Sequence, residues 1–267
     1  MTNKAISNHG LKHVYKSSIA PWVLPIVLLV VWQVSVSTGA MQLIASPYEV
    51  LTTAITYTVS GEIFEHIGVS FFRAAVGFLI GGGLGFILGV LNGMSNSSER
   101  YTDTTIQMFR NIPILAMIPL VIIWFGVGET AKIFLVTAGV MFPVYINTFH
   151  GIRSVDRGLL EMSRIYGISK WHLFTKVILP GAMPSILVGV RYALGVMWVT
   201  LIVAETIAAT SGIGYMSMNA REFMQIDVII LAILLYSVLG KIADTLAKLL
   251  EKRLLNWHPT YQNLRNS

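Results

Sequence analysis

Six apolar stretches, each close to the roughly 20 residues that about 30 Å of hydrocarbon demands, leave this chain little choice of solvent. They run approximately over 21–37, 71–91, 106–125, 133–149, 185–204 and 228–247. Charged residues make up 12% of the sequence and hydrophobic ones 54%, so too little charge is left to cover a water-facing surface. Backbone exposed to lipid must satisfy its hydrogen bonds within the segment, which makes helices of all six. The chain thus reads as an all-α membrane protein with six transmembrane helices. The first stretch has a second reading as a signal peptide, because Lys4, Lys12 and Lys16 precede a short apolar core. Ser37, Thr38, Gly39 and Ala40 make a poor cleavage site and favour a retained helix.

Several function classes fall away on simple grounds. The net charge of +6 does not signal nucleic acid, since the Lys and Arg residues sit between apolar runs instead of sharing one face with aromatics. Without any Cys there are no disulfides, thiolate nucleophiles or Cys-based zinc sites, and the six His show no metal-binding spacing. Gly240-Lys241 is followed by Ile242 and lacks the upstream glycine of a phosphate-binding loop. No cofactor is expected in this chain. A membrane-embedded enzyme would need a catalytic constellation within the spans, and an ion channel a filter loop or charged ring. Neither pattern is present.

Loop charges orient the spans. Lys4, Lys12 and Lys16 precede the first, Arg100 follows the second, and Arg153, Arg157, Arg164, Lys170 and Lys176 follow the fourth. Lys248, Lys252, Arg253 and Arg265 lie beyond the sixth, against only Lys132 and Arg221 on the other side. Both termini are therefore expected in the cytoplasm, with 1–19 and 250–267 as tails. Within span two, Gly77, Gly81, Gly85, Gly89 and Gly93 recur every fourth residue. Four residues turn a helix through about 400°, so they form one slowly drifting stripe, a seam for close approach of another helix.

The cytoplasmic segment between spans four and five carries the most specific pattern. Leu159, Leu160, Ile165 and Ile168 give a short helix an apolar face, and Gly167 can end it with positive φ. A second helix is expected to start between Trp171 and Val177, with Pro180 and Pro184 bracketing a break before span five. The spacing Glu161-x5-Gly167-x6-Phe174-x2-Val177-x-Leu179-Pro180-x3-Pro184-x4-Gly189 resembles the EAA loop of ABC importer permeases, with Met162 and Ser163 in place of the two usual alanines. Further along the chain, Pro113-x3-Ala116-x2-Pro119, Trp124-Phe-Gly126, Gly189-x-Arg191 and Ser211-Gly-Ile-Gly214 are similar to the branch that handles sulfonates, taurine, nitrate and bicarbonate. Met218 to Phe223 looks closest to permeases for aliphatic sulfonates.

That resemblance implies a type I ABC importer permease fold with a cytoplasmic coupling helix, in a bacterial cell membrane. Its transmembrane domain would cover 62–249, preceded over 20–61 by an extra helix and an external loop. It further implies a permease homodimer, two ATPase subunits that bind ATP and Mg, and an extracytoplasmic solute-binding protein. Glu161, Met162, Ser163, Gly167, Phe174, Leu179 and Pro180 would contact the ATPase.

Ionisable residues at membrane depth are costly, so each one inside a span is a candidate for function. Arg73 falls near the outer end of span two, Arg110 near the inner end of span three, and Arg191 about two turns into span five from the cytoplasm. The planar guanidinium suits oxyanions, although each Arg can equally snorkel or pair structurally. Glu205, near the outer end of span five, can pair with an Arg or act in gating. Pro113 and Pro119 can break span three; Asn111, Trp198 and Thr200 complete the candidate pathway. The polar, glycine-rich stretch 206–227 is a natural docking place for the binding protein.

Overall fold

The computed structural model describes residues 20–39 and 43–257, and every regular element among them is a helix. Lys4, Lys12, Lys16 and Arg265 of the tails lie outside the described residues, as does Ala40. Two short N-terminal helices come first, α1 (Ala20–Ser37) and α2 (Pro47–Ser60). Ser46 starts α2 through a capping box: its hydroxyl accepts the Glu49 N–H at 3.2 Å, and the Glu49 carboxylate accepts the Ser46 N–H at 2.6 Å. Pro47 sits where no donor is needed, and Gly61 ends the helix at φ 86°.

The long helix α3 (Glu62–Met94) holds the glycine stripe, and the seam expected of it is real. Its partner is α6 (Glu129–Arg153). A Cβ at Gly85 would stand 2.3 Å from the Met141 carbonyl oxygen, and one at Gly81 2.4 Å from that of Thr137. Only glycine lets the two backbones meet this closely.

Span three is broken. It consists of α4 (Asn96–Arg110), a 3-10 turn (Ile114–Met117) and α5 (Ile118–Phe125), with an 82° bend between the halves. Pro113 precedes the turn and Pro119 opens α5, so both prolines stand where a missing N–H costs least. The pair climbs along α6. Glu99 bridges Arg153 at the end of α6, Arg110 lies over the ring of Phe142 halfway along it, and Phe125 meets Phe134 near its start. Arg110 is therefore at mid-height, and the expectation that it lies near the inner end is corrected. Hydropathy starts the span at 106, whereas the climbing element begins at Asn96. Its polar first turns are held by protein partners: buried Asn92 donates to Thr102 at 2.7 Å and accepts from Ser98 at 2.6 Å.

Two short helices, α7 (Arg157–Ile165) and α8 (Lys170–Leu173), lead through a π-helical segment (Phe174–Ile178) into α9 (Leu179–Ala208). The break expected between Pro180 and Pro184 is absent, and Lys170–Ile207 runs through as one span. The widened turn ends just where Pro180 has no N–H to give, so its missing donor coincides with the change of register. Pro184 is accommodated inside α9. An outer helix, α10 (Ile213–Glu222), and a last long one, α11 (Ile226–Leu254), complete the chain.

Four helices are long and apolar enough to cross a membrane, and the broken pair makes a fifth if its halves count as one span. The apolar run of α1, Trp22–Ser37, is shorter, so the count of six is not reached among the described residues. Most of α1 is exposed along its length, while α3, α6, α9, α10 and α11 share one core around Val136, Val140, Met197, Leu201, Ile213 and Tyr236.

Candidate coupling surface and translocation path

At the loop end of the bundle, α7 is built to be presented. Asp156 Oδ1 accepts the N–H of Gly158 at 2.6 Å and that of Leu159 at 3.3 Å, capping the first turn. Gly167 closes the helix at φ 66°, with the Ile168 N–H reaching back to the Ser163 carbonyl at 3.0 Å. Leu160, Leu173, Phe174 and Leu179 root the corner in a cluster with Ile152, Val155, Ile178 and Ala182. Ser163 is buried, its hydroxyl donating to the Leu159 carbonyl at 2.6 Å. Glu161, Met162, Ile165, Tyr166 and Trp171 point outward. Pro180 is half-buried at the start of α9. An apolar ridge with one carboxylate thus stands proud of a rigid base.

The opposite end holds a buried ionic hub. Arg73 is fully buried and its guanidinium meets two carboxylates: Nε and Nη2 donate to Glu129 at 2.6 Å each, and Nη1 donates to Glu205 at 2.7 Å. Nη1 also donates to the Ser211 carbonyl at 2.6 Å. Glu205 is saturated by neutral donors as well, taking the hydroxyl protons of Ser70 and Tyr236 at 2.8 Å and the Gly214 N–H at 2.9 Å. Lys132 shares Glu129 at 3.1 Å. Gly212 at φ 108° admits the loop, because a Cβ there would lie 2.6 Å from Arg73 Nη1. One guanidinium and one carboxylate therefore fasten α3, α6, α9, α10 and α11 together.

Halfway along α6 the arrangement differs. Arg110 is exposed at the break in span three, 5.1 Å above the Phe142 ring, with Asn111 exposed beside it. Ile114 reaches toward the space that Gly139 leaves open, next to Thr200. Arg191 donates to Asp244 at 3.1 Å and to Glu251 at 3.2 Å, tying α9 to α11. Trp198 is buried against Tyr236, and its indole nitrogen has no hydrogen-bond partner among the described residues. No three His, Asp or Glu side chains among the described residues converge as a metal ion would need.

Residues 81–256 match the family described as "Binding-protein-dependent transport system inner membrane component". The chain belongs to this family. The permease is 58% identical, over 91% of its length and 93% of the relative's, to an Escherichia coli (strain K12) protein named as an aliphatic sulfonates transport permease. A Bacillus subtilis (strain 168) protein of the same name is 45% identical over 90% of the permease and 87% of that relative. Among solved structures, an amino acid ABC transporter superposes with a TM-score of 0.57 at 21% identity, covering 76% of the permease and 97% of that chain. The fold is thus that of an ABC importer permease, a multi-pass inner-membrane subunit that works with an ATPase and a solute-binding protein.

The permease brings together two of its sequence-predicted residues, Arg73 and Glu205, and keeps Arg110 and Arg191 apart from them. Sequence reasoning missed Glu129, Ser70 and Tyr236 as members of the hub. Their types are ordinary for helix ends and apolar spans, and only the tertiary approach of five helices marks them.

Proposed function

We propose that the permease forms, as a homodimer, the membrane path of an ATP-driven importer for aliphatic sulfonates. The single observation that carries the substrate is the 58% identity, across nearly the whole chain, to a relative named for aliphatic sulfonates. Both termini lie in the cytoplasm on this reading, as the loop charges suggest. Two ATPase subunits bind ATP and Mg, since the chain has no phosphate loop of its own, and their closure is transmitted through α7. The exposed ridge of Glu161, Met162, Ile165 and Tyr166 on a well-packed base supports that role, because a lever must be stiff where it joins the bundle and open where it is gripped. Two α7 helices drawn together rock the bundles and open the path between the copies to the other side. The binding protein delivers substrate at the outer end, where α10 and 206–227 face it.

The test is uptake by the complete complex in proteoliposomes, with the binding protein supplied outside and ATP inside. Radiolabelled ethanesulfonate should accumulate in an ATP-dependent way. Accumulation of taurine or nitrate with no ethanesulfonate uptake would overturn the substrate assignment.

A further inference from the structure

The cations at membrane depth are not alike. Arg73 is neutralised by Glu129 and Glu205, Lys132 by Glu129, and Arg191 by Asp244 and Glu251. Arg110 forms no ion pair with a carboxylate among the described residues. Its polar contact is one long hydrogen bond from Nη1 to Gln107 Oε1 at 3.4 Å, and Gln107 in turn donates to Asp103 at 3.4 Å. Beneath it lies the Phe142 ring, midway along the 25-residue helix α6.

Those two facts conflict if the site faces lipid. An unpaired cation near the middle of the hydrocarbon costs at least about 2.5 kcal/mol and is kept only where a water-filled cavity or a ligand meets it. Snorkelling offers Arg110 little relief, because the helix end it occupies stands halfway along α6 and not near the headgroups. Asn111 is exposed next to it where the helical backbone stops, and broken backbone at membrane depth is tolerated beside a cavity or within protein. The Phe142 ring lies 5.1 Å from the guanidinium carbon, a cation–π contact that holds the group at the break, and a guanidinium's planar fork suits the oxygens of an oxyanion.

We propose that Arg110 is the residue that holds the sulfonate group as substrate passes the middle of the path. The Phe142 ring acts as its platform. The proposal rests on the sulfonate reading above. Arg73, Lys132 and Arg191 brace the bundle, each already engaged by its carboxylates, and Arg110 alone of these four keeps its charge for the traveller. A single positive charge with one free edge also suits transport, since it attracts an anion without enclosing it.

The experiment compares wild type, Arg110→Lys, Arg110→Gln and Phe142→Leu as complete complexes in proteoliposomes, matched for assembled complex and saturated with ethanesulfonate-loaded binding protein. Ethanesulfonate uptake should fall about tenfold in Arg110→Gln, the loss expected for a charge-assisted hydrogen bond. Arg110→Lys should recover part of the rate, and Phe142→Leu should lie between wild type and Arg110→Gln. The ATP consumed per sulfonate imported should rise as uptake falls in Arg110→Gln and drop back in the charge-keeping Arg110→Lys, a charge dependence that a packing or coupling defect would not show. Uptake by Arg110→Gln within twofold of wild type would overturn the proposal. A loss seen only in vesicles containing phosphatidylglycerol, and not in phosphatidylcholine alone, would assign the guanidinium to a lipid phosphate and overturn it equally. A wild-type complex that hydrolyses ATP and imports no ethanesulfonate would instead overturn the substrate reading on which the proposal stands.

Discussion

At the scale of single residues, the outer hub shows how burial converts two ordinary side chains into a fastening. Arg73 and Glu205 have side chains with no solvent exposure, whereas the Glu129 side chain is 52% exposed. Removing one partner of a buried pair leaves the other charged and dry, which costs about 3–5 kcal/mol, while a solvent-facing pair contributes about 0–1 kcal/mol. Arg73→Ala should therefore destabilise the permease by several times as much as Glu129→Gln. Thermal unfolding of the detergent-solubilised protein, followed by loss of monodisperse material, measures the difference. Equal effects would show that Arg73 draws its stability from the exposed partner. The sequence marks Arg73 and Glu205 as unusual, because ionisable residues are rare in apolar spans. It does not mark them as each other's partners: 132 positions separate them, and only folding closes that distance to 2.7 Å.

At the scale of elements, two joints carry the behaviour. The first is the corner of α7 and Gly167. Gly167 needs the left-handed conformation that proline cannot adopt, so Gly167→Pro should misdirect α7 without disturbing the apolar spans. Glu161→Lys reverses the charge on the exposed ridge. In both variants the subunit should insert normally and the complex should hydrolyse ATP with little or no sulfonate uptake. Measured ATP turnover and uptake on the same vesicles decide it, and wild-type coupling in both would remove α7 from the proposed contact. The second joint is the break between α4 and α5. Its prolines are readable, yet the start of the element is not, because the polar residues 96–105 look like a loop to any hydropathy measure, while Ser98, Glu99 and Thr102 are held by Asn92 and Arg153. The reverse error occurs at Pro180 and Pro184, where proline predicts a break and a π-helical turn absorbs it.

At the scale of the whole molecule, orientation remains the proposal with the plainest test. The chain has no Cys, so a single introduced thiol reports its own side of the membrane. Phe223 is exposed at the end of α10, and Phe223→Cys should react with a membrane-impermeant maleimide added outside intact spheroplasts. Labelling only after lysis would invert the topology. The sequence by itself determined the class of solvent, the helical architecture and the seam of span two, because those follow from local composition and from periods of a few residues. It also marked the corner of α7 and Gly167, proposed above as the coupling contact, through a motif confined to one stretch of chain. The tertiary structure alone decided which charges pair among the described residues, that span three breaks halfway along α6, and which helix the glycines meet. The reason is physical: solvation and helix periodicity act between neighbours in the chain, whereas the burial of an ion pair depends on helices brought together from distant parts of it.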